Sequence, residues 1–417
     1  MNIPIERWIL ANGAVLLVSQ RKESPSVIVA GSMPAGAFLE EEPRAGLADF
    51  TARLLMRGTA ERDHQQIARE LENVGASIGF GSSAEALSFN GKSLPQHLDL
   101  VLRNIADCLR SAAFPTEEVE KVRGMMITGL KQWQDDTRAR AEDALRESVY
   151  PVGHPYRRNG RPTEESLQAI SQSEIAAFRD RNFSSRGMII VVCGNVDSSL
   201  ARNAVEATLG AWRANGAGSA QVQPRPDLSA PVRRAVPMPH KSQADIVIAY
   251  PGLRRSDPEF YTLSQANVIL GRLGLMGRLG DHVRDRLGLA YYCYSAVEDR
   301  RGDGLWLLRA GVNPANVDKA IAAMQDEVAR LASEQVAEDE IQDAQQLLVG
   351  AMALRLETTE GLADMAHYME YHSLGLDYLE RYPGLVKSVT REKILEGAAR
   401  HLDARQCATA VAGPVQG

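Results

Sequence analysis

The sequence predicts an α+β fold built as two tandem homologous domains, each a sheet covered on one face by helices. Three observations carry that expectation. At 417 residues the chain exceeds the usual range of one domain. Between Ala214 and Ala235 the residues ANGAGSAQVQPRPDLSAPVRRA accumulate Gly, Ser and Pro, and hydrophobic periodicity stops, which divides the chain almost in half. The two halves also end alike. Ile170 to Gly194, ISQSEIAAFRDRNFSSRGMIIVVCG, aligns without a gap over 25 residues with Val389 to Gly413, VTREKILEGAARHLDARQCATAVAG. Ser171 and Thr390 stand as N-caps, Ile175 matches Ile394, Phe183 matches Leu402, and Arg186 matches Arg405. The expected domains are 1–215 and 236–417, joined by a linker over 216–235.

The elements follow in order. In the first half, period-two patterning and β-branched content give strands over Ala14–Ser19, Val27–Met33, Ser77–Ser82 and Ala86–Lys92, with helices near Gly46–Met56 and His64–Asn73. In the second, the strands are Asp245–Tyr250, Tyr291–Val297 and Leu305–Gly311. Its helices are Glu259–Leu270, Gly277–Arg286, Ala315–Leu331 and Asp339–Leu354. A second echo, FPTEEVEKV at 114–122 and VAEDEIQDA at 336–344, opens a long amphipathic helix in each half. Strands separated by helix pairs argue a sheet with helices packed on one face.

Composition narrows the function classes. A formal net charge of -6 provides no electrostatic footprint for nucleic acid, which needs clustered Lys and Arg to neutralise phosphates. No segment approaches eighteen consecutive apolar residues, so no membrane partner is expected. Cys108, Cys193, Cys293 and Cys407 are scattered without a C-x-x-C pair, which argues against disulfides and cysteine-type zinc sites. The compartment expected is the cytoplasm, or the periplasm had a signal peptide been removed.

Residues 45–59, AGLADFTARLLMRGT, resemble the metal-site helix of the pitrilysin/insulinase family, which includes the mitochondrial processing peptidases. The family pattern is close to G-L-A-H-F-x-E-H-x-L-x-x-G-T, an inverted zinc motif. Histidines at i and i+4 share a helix face and chelate zinc, while the glutamate between them serves as base for the metal-bound water. Here the three positions are Asp49, Ala52 and Arg53. Ala52 accepts no proton and Arg53 is a fixed cation, so an Asp49–Arg53 ion pair is expected in place of a metal. The family's third ligand, a glutamate on a later helix, falls in a stretch where this sequence has Thr128 and Gly129. The resemblance therefore implies no metal in this chain.

In the second half, residues 277–295, GRLGDHVRDRLGLAYYCYS, resemble the same family's S-R-L-x-x-x-x-R-x-x-x-G-L-A-Y signature. Gly288 is a candidate C-cap between the helix and a Tyr-rich strand. On that match Arg284 and Tyr291 are the family's Arg and Tyr, which hold the substrate's backbone carbonyls across the cleft from zinc. A guanidinium and a phenol can both donate to a carbonyl oxygen that becomes an oxyanion. The structural alternative is that Arg284 pairs with Asp281 and Tyr291 packs on the sheet. The histidines offer no rival site. In HYMEYH at 367–372 the two histidines lie about 140° apart on a helix, and His154 and His282 read as structural. The glycines at 271, 274, 277 and 280 lack the G-K-[ST] of a phosphate loop.

The resemblance implies the non-zinc subunit of a heterodimeric zinc peptidase. A homologous partner with an intact motif would supply zinc and the base, and this chain, inactive alone, would contribute Arg284 and Tyr291 toward peptide or unfolded polypeptide. A purely structural scaffold subunit is the alternative.

Overall fold

A computed structural model of the chain describes residues 3–212 and 223–415. The chain forms two compact units. The first comprises Met1–Leu130, Arg158–Gln221 and Ala353–Leu379, and the second Lys131–Arg157, Val222–Met352 and Glu380–Gly417.

The first unit holds β1 (Glu6–Ile9), β2 (Val15–Gln20), β3 (Val27–Met33), β4 (Ser77–Ser82), β5 (Leu87–Ser93) and β6 (Ile189–Gly194), in the sheet order β1-β2-β6-β3-β5-β4. The second holds β7 (Val232–Pro237), β8 (Ala244–Pro251), β9 (Ala290–Val297), β10 (Leu305–Val312) and β11 (Ala408–Gly413), in the order β7-β11-β8-β10-β9. With β1 set aside the two orders are the same. Each sheet also has one parallel pair in the same place, β2 with β6 and β7 with β11, and antiparallel neighbours elsewhere.

The repeat holds at the level of atoms. Ser171 accepts a hydrogen bond from the Glu174 backbone N–H, and Thr390 accepts one from that of Lys393, each opening the closing helix of its half. Ile175 and Ile394 are fully buried. Gly194 and Gly413 end β6 and β11 at φ +142° and +151°. A Cβ on Gly194 would lie 2.3 Å from the Ser26 carbonyl oxygen, and one on Gly413 2.8 Å from that of Gln243. Only glycine fits either place.

Two strands escape the sequence reading. β1 is a four-residue edge strand with mostly exposed side chains, too short to show a period. β7 corrects the linker expected over 216–235: Val232–Ala235 belong to a strand paired in parallel with β11. Arg233 and Arg234 interrupt its apolar pattern, and Pro, Gly and Ser precede it. Positions 216–222 of that linker lie outside the described residues.

Each unit has its own hydrophobic core. In β3, Val27, Val29 and Met33 face that core, yet Ile28, Ala30 and Ser32 between them are buried as well. A helix explains them. Thr359–Tyr371 packs on β2, β3 and β6, and Thr137–Val149 packs on β7, β8 and β11. One helix from each half of the sequence therefore sits in the unit built mainly from the other half. To the single covered face expected from the sequence, the structure adds one helix on the other face. The central runs IIVVCG and IVIAY carry the reason, since unbroken apolar runs suit strands buried on both faces.

Polar contacts fasten both exchanged helices. On the first, His367 Nε2 meets the Ser32 hydroxyl at 2.7 Å, Arg7 holds Glu370 at 2.9 Å, and Tyr371 donates to Glu85 at 2.7 Å. On the second, buried Arg146 bonds Glu142 at 3.0 Å and also Glu298. Burial alone would raise the Glu298 carboxyl, but Arg146 and Arg300 outweigh it and hold it down at about 2. All four cysteines are buried, which pushes the thiols of Cys108, Cys193 and Cys293 up to about 12.

Candidate functional site

The first candidate region is the helix Leu47–Leu54. Gly46 precedes it at φ +89°, a left-handed conformation suited to glycine. The Glu40 carboxylate accepts from the backbone N–H groups of Gly46 at 2.8 Å and Ala48 at 2.7 Å, filling the helix N-terminus. Burial pushes the Glu40 carboxyl up to about 7 against those two donors, with Asp49 adding to the rise. Leu47, Ala48, Phe50, Thr51, Ala52 and Leu54 are all buried, leaving Asp49 and Arg53 on the open face.

There Arg53 Nε donates to Asp49 at 2.9 Å, the i,i+4 pair expected from the sequence. Ala52 is 3% exposed and belongs to the core. On the helix Thr116–Gln134, Thr128 and Gly129 are both exposed, and the Thr128 hydroxyl donates back to the Gly124 carbonyl at 2.9 Å. Zinc does not fit these residues: a methyl stands where the base would be and an ion-paired guanidinium where a ligand would be. Among the described residues no group of three or more His, Cys, Asp or Glu could hold a metal ion.

The second region follows the helix Phe260–Gly271. The sequence expects a regular helix from Gly277. Instead Gly274, Leu275, Met276 and Gly277 depart from helical angles, with Gly274, Met276 and Gly277 at positive φ. A tight turn causes this, because a Cβ on Gly277 would meet the Gly271 nitrogen at 2.6 Å. The segment Gly280–Arg286 then winds as a π-helix, a rare form enriched at functional sites.

Arg284 lies on that π-helix, and its anticipated partner Asp281 is engaged elsewhere, bonded to Arg286 at 2.7 Å. The nearest carboxylate to the Arg284 guanidinium is that of Asp285, at 3.7 Å, outside hydrogen-bond range. The side chain is 32% exposed, and one of its terminal nitrogens is buried with no hydrogen-bond partner among the described residues. The π-helix ends as the sequence indicates. Gly288, at φ +62°, donates to the Arg284 carbonyl at 3.1 Å, and Leu289 donates to that of Val283 at 3.0 Å. The chain then enters β9.

Tyr291 is the second residue of β9, and the ladder skips it. Gly311 of β10 pairs with Tyr292, but the next residue, Val312, pairs with Ala290. Tyr291 is thus the extra residue of a β-bulge on an edge strand and stands 82% exposed. It does not pack on the sheet. Arg284 and Tyr291 stand on the two sides of one turn, Tyr291 exposed and Arg284 with only the long Asp285 contact among the described carboxylates.

The histidines behave as their spacing suggests. His154 Nε2 bonds the Gln223 carbonyl at 3.0 Å, and the ring stacks on Tyr150. His282 pairs with buried Glu327 at 2.7 Å. The sequence reading missed Glu40, Asp245 and Tyr292. Gly311, a glycine inside an apolar strand, was the signal that another group approaches closely there.

Two family descriptions cover most of the chain: residues 15–158 match the insulinase (peptidase family M16) model, and residues 169–348 match the peptidase M16 inactive domain. This chain belongs to the M16 peptidase family. The M16 chain is 22% identical to the uncharacterized zinc protease YmxG of Bacillus subtilis, over 85% of each sequence. It is 26% identical to an uncharacterized zinc protease of Mycobacterium tuberculosis, over 92% of this chain and 86% of the relative. A crystal structure described as a peptidase M16 inactive domain from Pseudomonas fluorescens superposes with a TM-score of 0.92 at 23% identity, over 99% of this chain and 98% of the other. A protease from Helicobacter pylori superposes at 0.90 and 15% identity, over 99% and 100%. These likenesses establish the M16 fold over the whole chain. No helix among the described residues is long and apolar enough to cross a membrane.

Proposed function

We propose that this M16 chain is the non-zinc subunit of a two-subunit zinc peptidase. A homologous partner with an intact H-x-x-E-H motif supplies the metal, its water and the general base. This chain contributes Arg284 and Tyr291, whose donors meet the peptide carbonyl as it becomes an oxyanion. The observation that carries the reading is the bulge that sets Tyr291 outside the ladder, seven residues after an arginine whose expected partner Asp281 is bonded to Arg286 instead. The substrate is an extended peptide or unfolded segment, the shape that can run along a strand edge such as β9.

A structural scaffold subunit is the second reading, and the side chains at Asp49, Ala52 and Arg53 suit it equally. The two readings part at the second region. The test mixes the chain with a zinc-loaded M16 homologue and follows a quenched-fluorescent peptide. Loss of one oxyanion donor costs about a hundred- to a thousandfold in rate, so Arg284→Ala and Tyr291→Phe should each lower kcat on that scale without dissociating the pair. Unchanged activity in both variants would leave the scaffold.

A further inference from the structure

Strand register puts Tyr292 of β9, Gly311 of β10 and Asp245 of β8 in one row across the second sheet. The Tyr292 ring lies over Gly311: a Cβ there would sit 2.5 Å from a ring carbon and 2.8 Å from Gln243 Nε2. Having crossed the glycine, the phenol donates to the Asp245 carboxylate, which is 2% exposed. That carboxylate also accepts from the Thr137 hydroxyl and from Gln243 at 3.1 Å. Arg138 completes the group, stacking on the Tyr292 ring at 4.5 Å and donating to its oxygen at 3.1 Å. Glycine in a strand weakens it unless something needs the space. Here the ring does.

The row adjoins the bulge. β9 is an edge strand with no strand paired on its outer side; the Cys293 N–H bond to Met276 Sδ at 3.4 Å and the close approach of Gly271 to Ser295 both lie past the bulge. Were Tyr292 released from Gly311, Tyr291 could take that pairing position, and a one-residue slip turns a side chain to the opposite face. We propose that Tyr292 is a positioning residue: by reaching Asp245 across Gly311 it locks the register of β9 and holds Tyr291 outside the ladder. That Tyr291 then meets a peptide rests on the function proposed above. The lock itself does not.

The full-length chain alone provides the test. Tyr292→Phe removes the bond to Asp245. Gly311→Ala displaces the ring while leaving the hydroxyl. Tyr294→Phe alters the next tyrosine on the same face, whose ring neighbours are Tyr292 at 5.8 Å and Arg309 at 5.9 Å, and serves as control. Amide hydrogen exchange across residues 290–293 should rise roughly tenfold in the first two variants, the scale of one lost bond to a buried carboxylate, and stay unchanged in the control. A 3-fluorotyrosine placed at 291 should show a single fluorine resonance in the parent and the control, and a second one in each of the two variants. Near-ultraviolet circular dichroism confirms that each variant is folded. Unchanged exchange together with a single resonance in both Tyr292→Phe and Gly311→Ala overturns the lock, whatever the activity assay gives. Dispensability of Tyr291 for hydrolysis would instead overturn the proposed function and leave the lock standing.

Discussion

The helix Leu47–Leu54 and the segment Phe260–Arg286 occupy the same place in the repeat, between the second and third of the shared strands, and they have diverged in opposite senses. The first is sealed: its outward face carries an internal ion pair, its centre is a buried methyl, and its N-terminus is filled by Glu40. The second is open. Its backbone leaves helical angles at Gly274, rewinds as a π-helix and carries Arg284, whose nearest described carboxylate is Asp285 at 3.7 Å, ahead of the exposed Tyr291. Duplication supplies the scaffold twice, so one copy can lose its chemistry while the other keeps groups aimed outward. A fold shared across the family thus says little about activity until each copy is read separately.

Substitutions that probe the shared part should have the largest effect. Gly194→Ala and Gly413→Ala force a Cβ into backbone at matching places, and each should cost about 2–4 kcal/mol in urea unfolding. Unequal costs would show that the two closing strands are no longer equivalent.

The helix N-termini sharpen the contrast further. Glu40 has its carboxyl raised to about 7, so its contribution to stability is present below the unfolded value of 4.5 and is lost as pH rises through about 7. Glu259, which precedes Phe260–Gly271, goes the other way. Burial opposes its charge, but hydrogen bonds from Arg400 and His401 prevail and lower its carboxyl, so its contribution is present above 4.5 and fades as pH falls below that value. Melting temperatures from pH 3 to 8 should show Glu40→Gln gaining on the parent as pH rises and Glu259→Gln losing ground over the same range. Parallel curves would break the contrast.

The smallest effect is expected at the sealed face. Arg53→Ala removes an exposed i,i+4 pair and should cost only a few tenths of a kcal/mol. A loss several times larger would mean that the Asp49–Arg53 pair is not an exposed surface feature.

The duplication was legible because capping residues and terminal glycines are local signals, and both survive in the two copies. The Asp49–Arg53 pair was legible for the same reason, as i,i+4 spacing alone brings the groups together. Tyr291 shows where such reading stops. The sequence marks it as one tyrosine in an apolar strand, and its exposure comes from a register shift against Val312 that only the pairing of β9 with β10 reveals. The exchanged helices were hidden likewise. Thr137–Val149 and Thr359–Tyr371 look like ordinary helices of their own halves, and which sheet they cover is decided by long-range contacts such as those of Arg146 and His367.

The central proposal is one sealed copy and one open copy acting with a partner. Its most direct test is a titration of the purified chain into a zinc-loaded M16 homologue, with metal content and peptide hydrolysis measured at every step. The chain alone should carry no stoichiometric zinc and cleave nothing, with activity rising to a plateau at equimolar mixing. Stoichiometric zinc with hydrolysis by the isolated chain would contradict it.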